Sequence, residues 1–117
     1  MRNYPVQILN ITNATSQTSA AEWVGQSVAA SFVVTNGDTS AAGTVKIQGS
    51  NDLPVGAQAA FTPTNWADIP SATSTIVSGV GPAIVLQTMN FQYIRVVFTS
   101  SNAGSTKITV NASFLAV

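Results

Sequence analysis

Apolar and polar residues alternate along much of this chain. From Ser27 to Thr35, Val28, Ala30, Phe32 and Val34 fall on one face, and Ala29, Ser31, Val33 and Thr35 on the other. That period of two predicts a half-buried antiparallel strand. From Gly43 to Ser50, Val45, Ile47 and Gly49 point one way and Lys46, Gln48 and Ser50 the other. Tyr93 to Phe98 places Ile94, Val96 and Phe98 inward, and Lys107 to Phe114 places Ile108, Val110, Ala112 and Phe114 inward. Shorter strands are predicted at Val6 to Ile11, Trp66 to Ile69 with Pro70 as its stop, Thr73 to Val77, and Ala83 to Gln87, which Met89 and Asn90 end.

Between these runs lie turn signals. Asn36–Gly37–Asp38 reads as a hairpin-type turn, because Asn and Gly tolerate positive φ. Gly79 to Pro82 and Asn102 to Gly104 read as turns, and Thr12 to Ala20 as a polar loop. Leu53 to Asn65, with Pro54 and Pro63, reads as a long surface loop with one turn of helix at Ala57 to Ala60, either functional or a tolerated insertion. Ala20 to Val24 fits a helical turn or a short strand equally, and Trp23 within it is a core or interface aromatic. About eight short strands without a clear helix predict an all-β fold, an antiparallel β-sandwich or jelly roll. At 117 residues the chain predicts one domain.

Composition sharpens this. Charged residues make up 7% of the chain, against roughly 25% in an ordinary soluble domain. The surface must be built largely from small neutral residues, which suits a protein living in an assembly, or outside a cell, more than a free monomer. Arg2, Lys46, Arg95 and Lys107 balance Glu22, Asp38, Asp52 and Asp68, and the four cations do not cluster, so nucleic acid is not an expected partner. No apolar run approaches the length of a membrane span, so no membrane partner is expected. Met1 to Pro5 lacks the apolar core of a secretory signal, so an extracellular role would follow release by lysis.

The chain has no Cys and no His, which removes disulfides, thiolate metal sites and the commonest general base. What remains is a Ser/Lys dyad or a carboxylate pair, Asp52 with Asp68, and an Asx turn explains Asp52 without chemistry. Asn51, Asp52 and Asp68 lack the spacing of a Ca²⁺ loop. No enzyme activity, cofactor or metal is therefore expected. Asn10, Asn13 and Asn111 head glycosylation tripeptides of a kind that arise by chance in so Asn/Ser/Thr-rich a chain. Arg95 points away from the core, between inward Ile94 and Val96, and a guanidinium there calls for a carboxylate. Asp68 and Asp52 are its candidate partners in a structural ion pair; a ligand-binding role for Arg95 is the alternative.

The order Val45 to Asp52, Trp66 to Ile69 and Tyr93 to Phe98 resembles discoidin-like, galactose-binding-type jelly rolls. It is also similar to small β-sandwich proteins of tailed-phage structural gene clusters, which better match the length, the lack of Cys and the low charge. The phage resemblance implies a virion protein, assembled in the host cytoplasm, that decorates or cements a capsid. Its partners would be the major capsid protein or other virion proteins and further copies of itself, a trimer being one closed form. A carbohydrate-binding module of a tail fibre or adhesin is the alternative, marked by two or more exposed coplanar rings, and a minor capsid or tail component is a third. Edge strands short of guarding charges are expected to be covered by termini. Met1 to Ile11 is the expected arm, with Tyr4, Val6 and Ile8 as interface residues beside Trp23, Phe114, Leu115 and Val117.

Overall fold

The computed structural model describes residues 2–11, 16–25, 27–37, 42–53, 61–76, 79–80, 83–101 and 107–116. The strands are β1 (Arg2–Ile11), β2 (Gln17–Thr18), β3 (Glu22–Trp23), β4 (Ser27–Asn36), β5 (Gly43–Ser50), β6 (Ala67–Thr75), β7 (Gly79–Val80), β8 (Ile84–Leu86), β9 (Tyr93–Ser100) and β10 (Ile108–Ala116). They form two five-stranded sheets. The first runs β1-β10-β4, with β7 and β8 along the far side of β4; the second runs β9-β5-β6, with β2 and β3 beside β9.

All the pairings are antiparallel, and they nest: β1 with β10, β2 and β3 with β9, β4 with β7 and β8, β5 with β6. Successive levels of this nest fall in opposite sheets. A long folded hairpin wound in this way is a jelly roll. The inward sides of both sheets meet in one core, whose largest fully buried side chains include Phe32, Phe98, Phe114, Ile47, Ile94 and Ile108. Phe32 and Phe114 meet edge to face, with ring centroids 6.0 Å apart.

The alternating runs of β4, β5, β9 and β10 lie where expected, and their inward sets are buried apart from Val28, which is half-buried. Several details differ. Asn36 and Gly37 do not open a hairpin: Asn36 pairs with Ile108, Gly37 N–H donates to the Lys107 carbonyl, and the chain crosses to the other sheet. A turn signal reports backbone tolerance, and it cannot say which sheet the next strand joins.

Trp66–Ile69 and Thr73–Val77 are not separate strands, because β6 runs through Pro70. β6 is a sheet edge, where proline leaves no ladder bond unmade, and the register slips there between Lys46 and Gln48. Ser71 in this bulge has φ 62°. The open choice at Ala20 to Val24 resolves as a two-residue strand, β3, and the expected loop from Thr12 to Ala20 holds another, β2. Gly79–Val80, expected within a turn, pairs with Thr35 and Asn36. The expected helical turn at Ala57 to Ala60 and the turn at Asn102 to Gly104 lie outside the described residues.

The expected N-terminal arm is an edge strand of its own sheet. β1 pairs with β10 from Arg2↔Ala116 to Ile11↔Ile108, with a bulge between Gln7 and Leu9. Its apolar side explains this: Leu9 is buried, and Val6 and Ile8 pack against the core. Nor does the C-terminal strand reach outward, since β10 lies between β1 and β4.

Two glycines are demanded by close approach. A Cβ on Gly43, at φ +149°, would meet the Thr99 carbonyl oxygen, and one on Gly49 would meet the Phe91 ring.

Candidate functional site

The two sheets carry different outer faces. On the first sheet, cross-strand rows can be read from the register. Pro5, Ser113, Ser31 and Val85 form one row. Gln7, Asn111 and Val33 form the next, and Asn10, Thr109 and Thr35 a third. Leu115 stands opposite Ala29. All of these side chains are exposed or half-exposed, and none carries a charge. Their inward neighbours fill the core, so alternation alone puts them outside. A shallow groove of about 370 Å³ crosses this face between Ala29, Ser31, Val85, Gln87, Ser113 and Leu115.

The second sheet gathers charge. Asp68, Gln48 and Arg95 share one row across β6, β5 and β9. Arg95 Nε donates to Gln48 Oε1 at 2.7 Å, and Gln48 Nε2 donates to Asp68 Oδ1 at 2.8 Å. Lys46 pairs with the same carboxylate at 3.1 Å. The expected direct Arg95–Asp68 pair is thus replaced by a relay through an amide. The reason is sheet order: β5 lies between β6 and β9, so the Gln48 side chain stands between the two groups and makes a bond on each side. The Gln48 carboxamide is polarised from both ends, its oxygen toward the guanidinium and its nitrogen toward the carboxylate. The hydrogen bond from Gln48, then that from Lys46, holds Asp68 below its ordinary pKa of 3.8.

Arg95 also lies over the Trp66 ring, 4.4 Å from its centroid, and Trp66 Nε1 donates to the Pro63 carbonyl at 3.2 Å. Asp52, the other expected partner of Arg95, does a different task. Its Oδ2 accepts the backbone N–H groups of Thr64 (2.7 Å) and Asn65 (2.9 Å), and its Oδ1 accepts the Asn65 side-chain amide at 3.0 Å. It therefore clasps the chain as it returns toward β6. These bonds, the backbone donor of Asn65 first, lower its pKa. Asn51 Oδ1 accepts the Gln92 N–H at 3.0 Å. The Ser50–Asn51–Asp52 motif is a loop anchor. Asp52 and Asp68 have separate protein partners, and among the described residues no three His, Cys, Asp or Glu side chains gather as a metal site.

The expected interface residues divide. Trp23 is 55% exposed on the row of Tyr93. Leu115 is half-buried and borders the neutral groove. Phe114 is not a surface residue: it is 1% exposed, because β10's alternation turns it inward beside Phe32. Val6 and Ile8 are half-buried against the core. The side chain of Tyr4 and all of Val117 lie outside the described residues. No coplanar pair of rings is seen among the described aromatics, since Phe61 and Tyr93 are tilted by 50° and Arg95 covers Trp66. Sequence reasoning missed Gln48; its shared outward phase with Lys46 was the signal that could have found it.

No protein-family model matches the chain. No curated protein matches it. Among solved structures it is similar to a chain described as Bacillus endospore appendages, a novel family of disulfide-linked pili, with TM-score 0.53 and 14% identity over 99% of this chain and 88% of that one. That likeness is one of fold: a small all-β sandwich shared by two very different sequences.

Proposed function

We propose that this protein is a structural subunit of a multi-copy assembly, held to its neighbours by non-covalent burial of the neutral outer face of its first sheet. The observation that carries this reading is that face itself. Desolvating Ala, Ser, Thr, Asn, Val and Leu side chains costs far less than desolvating charges, so such a face can close against protein. Many weak contacts then add through symmetry.

Within that class the protein is a bacteriophage virion component that decorates or cements the capsid, its partners being the coat protein and further copies of itself. The motif order from Val45 to Phe98 and the low charge support this choice. A pilus-type polymer is the second reading, favoured by the fold shared with an appendage described as disulfide-linked. These 117 residues contain no Cys, so a polymer built from them would be held without that bond.

Sedimentation velocity over a concentration series, with negative-stain images of the same samples, separates the readings. A closed oligomer that also co-sediments with phage capsids supports decoration. Fibres support the polymer. A monomer at every concentration that binds no particle overturns the assembly reading.

A further inference from the structure

The aromatic side chains of this protein are sorted by type. Phe32, Phe98 and Phe114 fill the core. Both tryptophans and Tyr93 stand instead on the outer side of the second sheet, with Phe61 beside them. Trp23 on β3 is the cross-strand neighbour of Tyr93 on β9 and is 55% exposed. The Phe61 ring lies 5.7 Å from that of Tyr93. Two residues further along β9, Arg95 projects to the same side as Tyr93 and lies over Trp66. Tyr93, Phe61, Trp66 and Arg95 are each half-exposed. These contacts link the five side chains into one patch.

Within the patch Arg95 is held but not saturated. Its Nε donates to Gln48 Oε1, and its flat face rests on the Trp66 indole. Among the described residues its two terminal nitrogens have no acceptor. The acid of its own row, Asp68, is taken by Gln48 and Lys46. Stacking leaves the in-plane N–H groups of a guanidinium free to donate, and it fixes the side chain beforehand, so less entropy is lost on binding.

We infer that this patch docks a short segment of a partner protein, one that brings a carboxylate to Arg95 and an apolar side chain to the Trp23–Tyr93 pair. Three observations select this occupant. Trp, Tyr and Arg are the residue types that carry most binding energy at protein interfaces, and here they meet outside the core. The Phe61 and Tyr93 rings are tilted by 50°, which makes an uneven surface for side chains to enter. Lys46 and Asp68 offset each other, which leaves the charge of Arg95 to a carboxylate from outside, whose two oxygens match the guanidinium fork. Assembly through the neutral face leaves this second face in solvent, where a partner of a different kind can reach it.

The test selects a display library of random short peptides on the full chain. Recovered sequences should share an Asp or Glu within a few residues of an aromatic or aliphatic one. Synthesised, they should bind in calorimetry with Kd on the order of 10 μM. Trp23→Ala, at an exposed position, should weaken them roughly tenfold, and so should Arg95→Lys, which keeps the charge but loses the fork. Replacing the peptide's acid by its amide should also weaken binding roughly tenfold, and Arg95→Lys should then add little, because the two changes remove the same contact. Asn111→Glu, on the neutral face, should bind the peptides as the parent does. The inference fails if no sequence is enriched, if the enriched peptides lack an acid, or if either Trp23→Ala or Arg95→Lys binds them as tightly as the parent. Sedimentation reads the neutral face separately, so failure here leaves the assembly reading standing, and the reverse.

Discussion

The outer faces of the two sheets are made by the same rule of alternation, yet they have opposite chemistry. One presents Pro5, Gln7, Ser31, Val33, Val85, Asn111 and Ser113, a surface of small neutral groups with a shallow groove. The other concentrates Lys46, Asp68 and Arg95 into a single network joined through Gln48 and lying against Trp66. In a chain with eight formal charges, three gather on one face, while exposed Lys107, just before β10, stands at the margin of the other. A charged network stays hydrated and keeps neighbours at a distance, whereas a neutral face can be covered. On the proposed reading, the second face serves solvent and internal order, and the first serves contact.

Adjacent residues on β10 offer the largest test of that division. Phe114 belongs to the core and Leu115 to the neutral face. Phe114→Ala should destabilise the fold by about 3–5 kcal/mol in urea unfolding. Leu115→Ala should change stability by less than about 1 kcal/mol while weakening self-association in sedimentation. Equal unfolding effects would erase the distinction between the two sides of β10.

On the charged face the effects are smaller, because the groups are part-exposed. Gln48→Ala removes the amide between Arg95 and Asp68 and should cost about 1–2 kcal/mol. Arg95→Lys keeps the charge but loses the Nε donor and the flat overlay on Trp66, for about 1 kcal/mol. A double-mutant cycle of Gln48→Ala with Arg95→Met should show coupling; strict additivity would mean that the relay carries no energy.

Smallest and most graded is the response to acid. Asp52 and Asp68 protonate below their ordinary 3.8 in the folded chain, so the unfolded chain binds more protons in that range. The stability they lend is fully present above the unfolded value and is lost as pH falls through the lower folded values. With no histidine to titrate, the melting temperature should be flat from about pH 5 to 8 and fall below about pH 4. Asp52→Asn together with Asp68→Asn should flatten that fall.

Much of the fold was legible because β4, β5, β9 and β10 alternate cleanly and their apolar phase names the core residues directly. The short strands were not. Two-residue pairings such as β2, β3 and β7 have no period of their own and form only because a longer strand offers an edge. Pro70 read as a stop because the sequence does not say that β6 is an edge strand. The Arg95 environment was half legible: its outward direction follows from Ile94 and Val96, but its partner depends on which strand lies alongside, and that is set by sheet order. The neutral face was visible only as low overall charge, since the register is needed to gather its residues on one side.

The central claim, that the neutral face of the first sheet is the assembly surface, is tested most directly by placing one charge on each face and weighing the particles. Asn111 is exposed in the middle row of the neutral face, and Thr73 is exposed on the charged one, opposite Lys46. Sedimentation velocity of the parent, Asn111→Glu and Thr73→Glu at matched concentrations should show assemblies for the parent and Thr73→Glu, and a monomer of unchanged melting temperature for Asn111→Glu. Assembly of Asn111→Glu at the parent's level, or loss of assembly in Thr73→Glu alone, would contradict the account.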